Sequence, residues 1–335
     1  MSTAPSDQSL SVAKRQSCRL AVIREPRRLE FIEQPLPSIA PGQVRVRLEG
    51  CGVCASNGPV WEGRPWFDYP REPGSPGHEG WGVIDEVGTD VTHLQAGQRV
   101  AMLSYHAFAD YDVAEADAVV PLPSELNEFP APGEPLGCAM NVFRRSDIQP
   151  GQKVAVVGIG FLGGLLVQLA THAGAEVIAI SRRRWALDLA EQCGAQHCIA
   201  FDEPWKVQEQ VQQIAGGDGL PRVIEAVGNH AALDVAGELV GVRGRLVIAG
   251  FHQDGPRQVN LQSWNWRGID VINAHERDPA MYVRGIQDAL DAMAQGRLDP
   301  RPLLTHTFPL EELDRALEMQ HQRPDGFLKA LVVTG

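Results

Sequence analysis

Apolar residues recur at every second position in several short segments between residues 19 and 121. This period is typical of β-strands with one buried face, and clusters of proline and glycine separate the segments. The segments that we expect to form strands are RLAVI, LEFIE, QVRVRLEGC, GWGVIDEVG, QRVAML, DYDVA and AVVPL. The first part of the chain is therefore predicted to be a β-rich lobe.

The pattern changes after about residue 130, where EPLGCAMNVFRRSDI has the apolar spacing of a helix. Between residues 150 and 275, β-branched runs alternate with helical segments, beginning with the strand KVAVVGIG and the helix FLGGLLVQLATHAG. Alternating strands and helices are typical of a parallel, doubly wound sheet that is covered on both faces. Two amphipathic helices and a last strand, KALVVT, follow His275. The predicted fold class is therefore α/β.

Composition narrows the possible functions. The chain has 335 residues, of which 44% are hydrophobic and 21% charged, as in a globular enzyme large enough for two lobes. The formal net charge is −12 and basic residues are scattered, so a nucleic-acid partner is not expected. No apolar run has the length of a membrane span, and residues 1–17 lack the apolar region of a signal peptide. We expect a cytoplasmic protein without a membrane partner.

Three glycines after the first strand of the α/β region form a G-x-G-x-x-G pattern. Gly158 would make the turn, Gly160 would let the backbone approach a pyrophosphate, and Gly163 would let helix and strand pack closely. The free N–H groups at the start of the following helix would then face the phosphates. The alternative is a glycine-rich turn in another α/β fold.

The end of the next strand bears on the choice between NAD and NADP. Ser181 stands where an acidic residue would bind the 2′-hydroxyl of NAD, and Arg182, Arg183 and Arg184 follow it. Guanidinium groups are suited to bidentate phosphate contacts, which favours NADP(H) over NAD(H). The alternative is that the arginines only begin a solvated helix.

Two further segments, GCGVCASN at residues 50–57 and PGHEGWGVIDEVG at residues 76–88, carry a family resemblance. Together with the glycine pattern, they resemble the zinc-containing medium-chain dehydrogenase/reductase superfamily, which includes alcohol, sorbitol and threonine dehydrogenases, from about Cys18 to Val333. The resemblance implies a GroES-like, β-rich catalytic domain and a Rossmann dinucleotide-binding domain. The expected boundaries are a flexible tail at 1–17, the catalytic domain at 18–140, the Rossmann domain at 141–275 and a return to the catalytic domain at 276–335.

By this resemblance, one catalytic Zn²⁺ per subunit would be held by Cys54, His78 and a distant acidic residue, Glu134. Cys138, about one helical turn later, is the rival third ligand, and Glu79 resembles the glutamate that lies beside the metal or moves into its coordination. Thiolate, imidazole and carboxylate are all ordinary zinc ligands, and a catalytic site keeps one position open. Ser56 matches the hydroxyl that passes on the proton of the alcohol, and the alternative is a serine that satisfies a turn.

The resemblance also implies cofactor contacts along the carboxyl ends of the parallel strands. Beyond the three glycines, Ser181, Arg182 and Arg183, the implied contacts are Phe161, Leu162, Ala226, Val227, Gly228, Ala249, Gly250 and Phe251.

The chain departs from many relatives in three ways. Asn57 stands where an aspartate is common, and Pro59 replaces a histidine that completes the proton relay in some alcohol dehydrogenases. Residues 89–137 contain no cysteine, so the structural zinc of many relatives is not expected. The six cysteines show neither the density of a disulfide scaffold nor a zinc-ribbon spacing, and we expect most of them to be reduced.

The substrate predicted from these residues is a secondary alcohol, in particular a polyol or sugar alcohol. The aromatic residues expected to line its cleft, or alternatively to pack between the lobes, are Trp61, Trp66, Phe67 and Tyr69. The polar or amphipathic candidates are His106, Arg144, Arg145, Trp264, Trp266, Asn273 and His275.

The resemblance implies a homodimer, or a homotetramer, that associates through the strand IDVINAH, because a bare apolar strand edge is a liability unless it is paired. Two other functions remain open at this point. One is a zinc-free quinone or enoyl reductase of the same fold, whose members lack the cysteine and histidine ligands. The other is a non-catalytic dinucleotide-binding protein, which would be free to lose Cys54, Ser56 and Glu134.

Overall fold

The computed structural model describes residues 16–335 of the chain. In this part, fifteen strands form three sheets. The strands are β1 (Ser17–Glu25), β2 (Arg28–Pro35), β3 (Gln43–Val53), β4 (Gly80–Val87), β5 (Arg99–Met102), β6 (Tyr111–Glu115), β7 (Val119–Pro121), β8 (Lys153–Val157), β9 (Glu176–Ser181), β10 (His197–Ala200), β11 (Leu220–Glu225), β12 (Val240–Ile248), β13 (Asp270–Asn273), β14 (His306–Pro309) and β15 (Ala330–Val333).

Nine α-helices lie between these strands in the described residues. They are α1 (Asn57–Glu62), α2 (Gly133–Ser146), α3 (Phe161–His172), α4 (Arg184–Gln192), α5 (Pro204–Ala215), α6 (His230–Leu239), α7 (Leu261–Arg267), α8 (Pro279–Ala294) and α9 (Leu313–Gln322). None of the helices within residues 16–335 is both long and apolar enough to cross a membrane.

A seven-stranded sheet forms the β-rich region. Its strands lie in the order β14-β15-β3-β4-β5-β7, and β6 pairs with β3. Alternate residues of β3, such as Val44, Val46 and Leu48, are buried in one core, which is the pattern that the period of two predicted. The last strand pairs antiparallel with β3, with Ala330 opposite Val53, so the start of β15 lies beside the end of β3.

A six-stranded parallel sheet forms the second region. Its order, β10-β9-β8-β11-β12-β13, is the 3-2-1-4-5-6 order of a doubly wound dinucleotide-binding sheet, and the predicted fold class is confirmed. The β8 residues Val154, Ala155, Val156 and Val157 are fully buried because helices cover both faces. Gly158 follows with φ +102°, a conformation that a side chain would strain.

Helix α2 joins the two regions. It packs against α8 so closely that a Cβ on Gly285 would lie 2.7 Å from the carbonyl oxygen of Gly137. The boundary expected between residues 140 and 141 falls inside this helix. Strands β14 and β15, which lie in the segment 276–335, are part of the seven-stranded sheet. The expected tail at 1–17 lies outside the described residues up to residue 15.

Candidate metal and dinucleotide site

The metal-ligand candidates lie where β3 ends and β4 begins. These strands are antiparallel and place Cys51 opposite Gly80, so the residue after β3 and the residues before β4 are neighbours. Cys54 follows β3, and His78 and Glu79 precede β4. One ligand atom from each of these three residues lies within 4.8 Å of the other two. Sheet pairing thus brings together residues that are 24 positions apart in the sequence.

Hydrogen bonds in the loops around the site hold the backbone of Cys54 and the ring of His78 in place. The side-chain oxygen of Asn57 accepts a hydrogen bond from the backbone N–H of Cys54 (2.9 Å), and its amide donates to the carbonyl of Pro76 (3.2 Å). Nδ1 of His78 lies 2.8 Å from the same carbonyl. A carbonyl only accepts, so Nδ1 carries the proton in this bond, and the lone pair of a neutral His78 is on Nε2. This orientation is typical of histidines that bind metals.

The electrostatics of the donor set fit a cation. Burial lowers the pKa of His78, but the charge and hydrogen bond of Cys54, together with Glu134 and Glu79, raise it to about 10. Negative groups therefore outweigh the cost of placing a charge on this buried ring. Sulfur, nitrogen and oxygen donors in one partly buried cluster with an excess of negative charge are the set that zinc accepts.

Glu134 faces the same histidine from the first turn of α2, but it is not one of the three groups in the tight cluster. Its carboxylate accepts a hydrogen bond from Sγ of Cys138 at 3.2 Å. Burial raises the pKa of Glu134, and the charge of His78 partly offsets this effect. Glu79 thus lies closer to Cys54 and His78 than Glu134, the predicted third ligand, does. Cys138, the rival third ligand, contacts Glu134.

Lys329, which the sequence did not single out, completes the site. Its Nζ lies 2.6 Å from Oε1 and 2.5 Å from Oε2 of Glu79, and both side chains are almost wholly buried. Burial lowers the pKa of Lys329, but Glu79 and Cys54 raise it above the ordinary value overall. The ammonium group also lies 5.1 Å from the ring centre of Phe161, at the start of α3. Lys329 therefore links the metal-ligand cluster to the glycine turn.

Gly52 makes room for this ion pair. A Cβ on Gly52 would lie 1.8 Å from Oε2 of Glu79. The conformation of Gly52 is not unusual, so the restriction is steric and comes from the carboxylate. Ser56 lies at the start of α1, is partly exposed, and does not cap the helix with its hydroxyl.

The glycine turn has the geometry that a dinucleotide requires. A Cβ on Gly163 would lie 2.0 Å from the carbonyl oxygen of Gly158, so close packing requires a glycine there. A Cβ on Gly160 would meet no heavy atom within 4 Å. The protein itself thus leaves the space in front of Gly160 and the α3 N-terminus open, which is where a pyrophosphate would approach.

Glu225, a second residue that the sequence did not single out, shapes the neighbouring loops. It is fully buried at the end of β11, and its Oε1 accepts hydrogen bonds from the N–H groups of Val227 and Gly228, both at 2.7 Å. Its Oε2 lies 3.0 Å from Nε2 of His252. Glu225 therefore holds loop 226–228 against loop 249–252. Both loops contain the predicted cofactor contacts.

The three consecutive arginines have different environments. The guanidinium of Arg183 donates to the carbonyls of Phe327 (2.6 Å) and Ile159 (3.2 Å), and Arg184 forms an exposed pair with Asp188. Arg182 is exposed beside the buried Ser181, and within residues 16–335 its side chain has no hydrogen-bond or ion-pair partner. Arg182 is thus the member of the run that is available to a phosphate.

A cleft of about 330 Å³ opens between the two regions next to Cys54. It is lined by Ala55, Gly58, Pro59, Glu62, Arg64, Trp66, Val227, Gly228, Phe251, Gln253, Asp254, Gln320, His321 and Arg323. Of the four aromatic residues predicted to line it, Trp66 does. Trp61 is buried and donates to Glu318 (3.0 Å), while Phe67 and Tyr69 pack against the core of the seven-stranded sheet.

None of the seven polar and amphipathic candidates is among the described residues that line the cleft, although His275 stacks on Phe251, which does line it, with ring centres 5.8 Å apart. His106 is near Glu72, Arg144 is paired with Asp288, Trp264 is buried beside α6, and Trp266 is 90% exposed on the surface. Arg145, Asn273 and His275 are also not among the described residues that line the cleft. All six cysteines are free thiols, as expected.

Comparison with known proteins gives consistent results. The profile of the family described as alcohol dehydrogenase GroES-like domain matches residues 40–124, and the profile described as zinc-binding dehydrogenase matches residues 162–292. An alcohol dehydrogenase of Rhizobium meliloti (strain 1021) is 31% identical over 265 residues, which cover 69% of this chain and 76% of that protein. A sorbitol dehydrogenase of Bacillus subtilis (strain 168) is 27% identical, with 95% of this chain and 97% of that protein covered.

Among solved structures, one described as a short chain alcohol dehydrogenase (rspB) from E. coli CFT073, complexed with the cofactor NADH, has a TM-score of 0.85. The two sequences are 24% identical, and the alignment covers 95% of this chain and 99% of the other. This similarity confirms the fold.

Proposed function

Because the chain belongs to the zinc-containing medium-chain dehydrogenase/reductase superfamily, we propose that it transfers a hydride between a secondary alcohol, such as a polyol, and NADP. The observation that supports this proposal is the cluster of Cys54, His78 and Glu79 next to a cleft that Ala55, the neighbour of Cys54, and the loops 227–228 and 251–254 line. A redox cofactor and a metal-activated hydroxyl would meet in that cleft. In the balanced reaction the alcohol becomes a ketone, NADP⁺ becomes NADPH, and one proton is released.

Cys54 and His78 would hold one Zn²⁺, with Glu134 as the proposed third ligand and Glu79 as the alternate. When bound, the ion supplies Lewis acidity, which lowers the pKa of an alcohol hydroxyl. Lys329 holds the carboxylate of Glu79 in place through their buried pair. Because Glu79 is paired with Lys329, this lysine would determine how readily Glu79 serves as the alternate ligand.

The cleft walls would orient the reacting groups. Val227 and Phe251 are apolar and partly exposed at the loops that Glu225 holds together, and Trp66 faces the cleft from the opposite side. Apolar walls of this kind bind a nicotinamide ring and exclude water from the hydride path. The hydroxyl of Ser56 can both accept and donate a hydrogen bond, so we propose that it receives the proton of the alcohol.

Ser181 and Arg182 are proposed to select NADP. No carboxylate stands at the end of β9 to bind the 2′-hydroxyl of NAD, and the free guanidinium of Arg182 can bind a 2′-phosphate. Arg183, which is engaged with two carbonyls, would instead hold the cofactor domain against the segment that leads to β15. Neither a structural zinc nor a nucleic-acid partner is part of the proposal.

The exposed edge of β13 is proposed as the dimer interface. Val271 on this strand is 36% exposed, Val242 on the neighbouring strand β12 is 71% exposed, and Leu261 and Trp266 on α7 are 67% and 90% exposed. Pairing of β13 with its copy would join two parallel sheets and cover this edge. Light scattering tests the dimer, and a monomer would refute it.

A metal and turnover assay tests the function. The purified protein is expected to contain about one zinc per chain and to oxidise members of a panel of sorbitol, inositols, threonine and simple secondary alcohols with NADP⁺. The variant Cys54→Ala should lose zinc and turnover but bind NADPH as the wild type does, whereas Cys193→Ala should change neither. A zinc-free wild-type protein that reduces quinones or enones would support the alternative reductase, and Cys54→Ala with unchanged turnover would refute the zinc mechanism.

A further inference from the structure

The charges that line the cleft are paired, with one exception. Glu62 contacts Arg64 (2.8 Å) and His321 (2.8 Å), and Asp254 contacts Arg257. Within residues 16–335, no carboxylate lies within ion-pairing distance of the remaining cation, Arg323. Its Nε donates only to the backbone carbonyl of Gln320, at 3.3 Å. An unneutralised cation in the cleft of a chain with net charge −12 would attract an anionic ligand.

Arg323 lies close to the reacting centre. It is exposed to the cleft, and the surrounding protein lowers its pKa, while the negative charge of Cys54 acts in the opposite direction. Ala55, the neighbour of Cys54, lines the same cleft. A ligand that contacts both the metal-ligand cluster and Arg323 would therefore need to be only a small molecule.

The backbone conformation of Arg323 is one that glycine adopts more easily than arginine. Arg323 ends α9 with φ +46°, and its N–H donates to the carbonyl of Met319 (2.8 Å). Glycine is the usual residue at a left-handed helix end, since a side chain is strained there. An arginine at this position makes the helix end less stable than a glycine would, but it places a guanidinium group in the cleft.

We infer that Arg323 binds an oxyanion of the substrate, so that the preferred substrate is a secondary alcohol that carries a carboxylate or a phosphate. This inference rests on the proposed function, since it names the substrate class of the same cleft. A guanidinium presents paired N–H donors that match either group. The paired charges of Glu62 and Asp254 would not repel such a substrate strongly, because each has its own cationic partner.

The phosphates of the cofactor are the other possible anions, and the lining of the cleft favours the substrate. No described residue of the glycine turn at 158–163 lines the cleft, whereas the loops at 227–228 and 251–254 do. These loops are expected at the nicotinamide end of the cofactor, while the pyrophosphate is expected at the turn. Arg323 therefore shares the cleft with the reacting end of the cofactor.

Two matched substrate pairs test the inference. 2-Butanol and 3-hydroxybutyrate differ by a methyl group in place of a carboxylate, and glycerol and glycerol 3-phosphate differ by the phosphate. For at least one pair, wild-type kcat/KM should be about 10- to 100-fold higher for the anionic member, as a charge-assisted contact predicts. In Arg323→Gly this preference should fall to about one, and Arg323→Lys should retain part of it. Arg315→Met, which removes a paired arginine from α9, should leave the preference unchanged.

A binding measurement separates the possible failures. Acetoacetate and 2-butanone cannot be reduced by NADP⁺, so calorimetry of the zinc-loaded NADP⁺ complex reports their affinity without turnover. Tighter binding of acetoacetate in the wild type, lost in Arg323→Gly together with an undiminished Tm, supports the inference. Equal affinity for the two ketones, with no preference in either alcohol pair, overturns it, and turnover of the neutral alcohols would then leave the proposed function standing. If Arg323→Gly weakens NADP⁺ itself as much as acetoacetate, the arginine serves the phosphates of the cofactor and the inference is wrong.

Discussion

Replacing Lys329 by methionine tests the buried ion pair that connects the metal-ligand cluster to the cofactor turn. The two charged groups are 2.6 Å apart and their side chains are 5% and 0% exposed. At an effective dielectric constant of about 20, this separation gives an attraction of roughly 6 kcal/mol, which the cost of burying both charges largely offsets. Methionine is similar in length but uncharged, so Glu79 would remain buried without its partner. Removing one member of a buried pair costs about 3–5 kcal/mol.

The loss should be measured on metal-free protein at pH 7 by urea and thermal unfolding. A destabilisation of this size corresponds to a decrease in Tm of roughly 6–20 °C for a domain of about 150–250 residues. Lys206→Met is the matched control, because Lys206 is exposed on α5 and its loss should cost less than about 0.5 kcal/mol. The double variant Glu79→Gln/Lys329→Met leaves neither charge buried and should be more stable than Lys329→Met alone.

The loss of stability in Lys329→Met should depend on pH. The pKa of Lys329 in the folded protein is raised above its ordinary value, so the lysine contributes its full stability below the pKa of the unfolded chain. This contribution is lost as the pH rises through the folded pKa, and the difference between wild type and Lys329→Met should narrow at alkaline pH. A Lys329→Met protein within about 1 kcal/mol of the wild type at pH 7, or a double variant less stable than the single one, would refute the reasoning.

Substitutions at three other positions test the metal-ligand cluster, the cofactor site and the dimer interface. Gly52→Ala should displace the Glu79 carboxylate, lower stability by about 1–3 kcal/mol and weaken zinc binding, measured by unfolding and by chelator competition; unchanged values would show that Glu79 adapts freely. Arg182→Leu should raise the Kd of NADP⁺ about 10- to 100-fold while sparing NAD⁺, with Arg184→Leu as the control; an equal loss for both cofactors would contradict the 2′-phosphate assignment. Val271→Asp should convert the dimer to a monomer in light scattering, and a persistent dimer would place the interface elsewhere.

Local sequence patterns predicted the strands and helices of the parallel sheet. The buried β-branched run before Gly158 and the alternation after it predicted the parallel sheet, because a strand covered on both faces must be apolar throughout. The segments that were missed are short: α1 and α7 have six and seven residues, and β14 has four. Elements of this length carry too few residues to establish a period, and tertiary contacts decide their structure.

The sequence predicted the site residues that belong to a motif. It did not predict their partners that are distant in the sequence and belong to no motif. Cys54 and His78 converge as expected. The carboxylate nearest to them is that of Glu79, which lies next to His78, while Glu134 approaches from α2. Lys329 is 250 residues away from Glu79, and only the pairing of β15 with β3 brings them together. A possible signal was the single lysine at the start of the apolar segment KALVVT, since a charge beside a buried strand needs a partner.

The arginine run and the aromatic cluster show the same limit. Arg182, Arg183 and Arg184 look equivalent in the sequence, yet one is free, one binds two carbonyls and one pairs with Asp188. Trp61 lies in a short helix whose packing against α9 buries it, whereas Trp66 follows the end of that helix and remains in the cleft. Side-chain direction in such short segments is decided by neighbours from elsewhere in the chain.

The zinc site can be tested by anomalous diffraction at the zinc edge on crystals of the protein grown with NADP⁺. We expect one zinc peak per chain, about 2.3 Å from Sγ of Cys54 and about 2.0–2.1 Å from Nε2 of His78, with a carboxylate oxygen completing the protein ligands. A peak that does not contact Cys54 and His78, or crystals of zinc-supplemented protein with no peak between them, would contradict it.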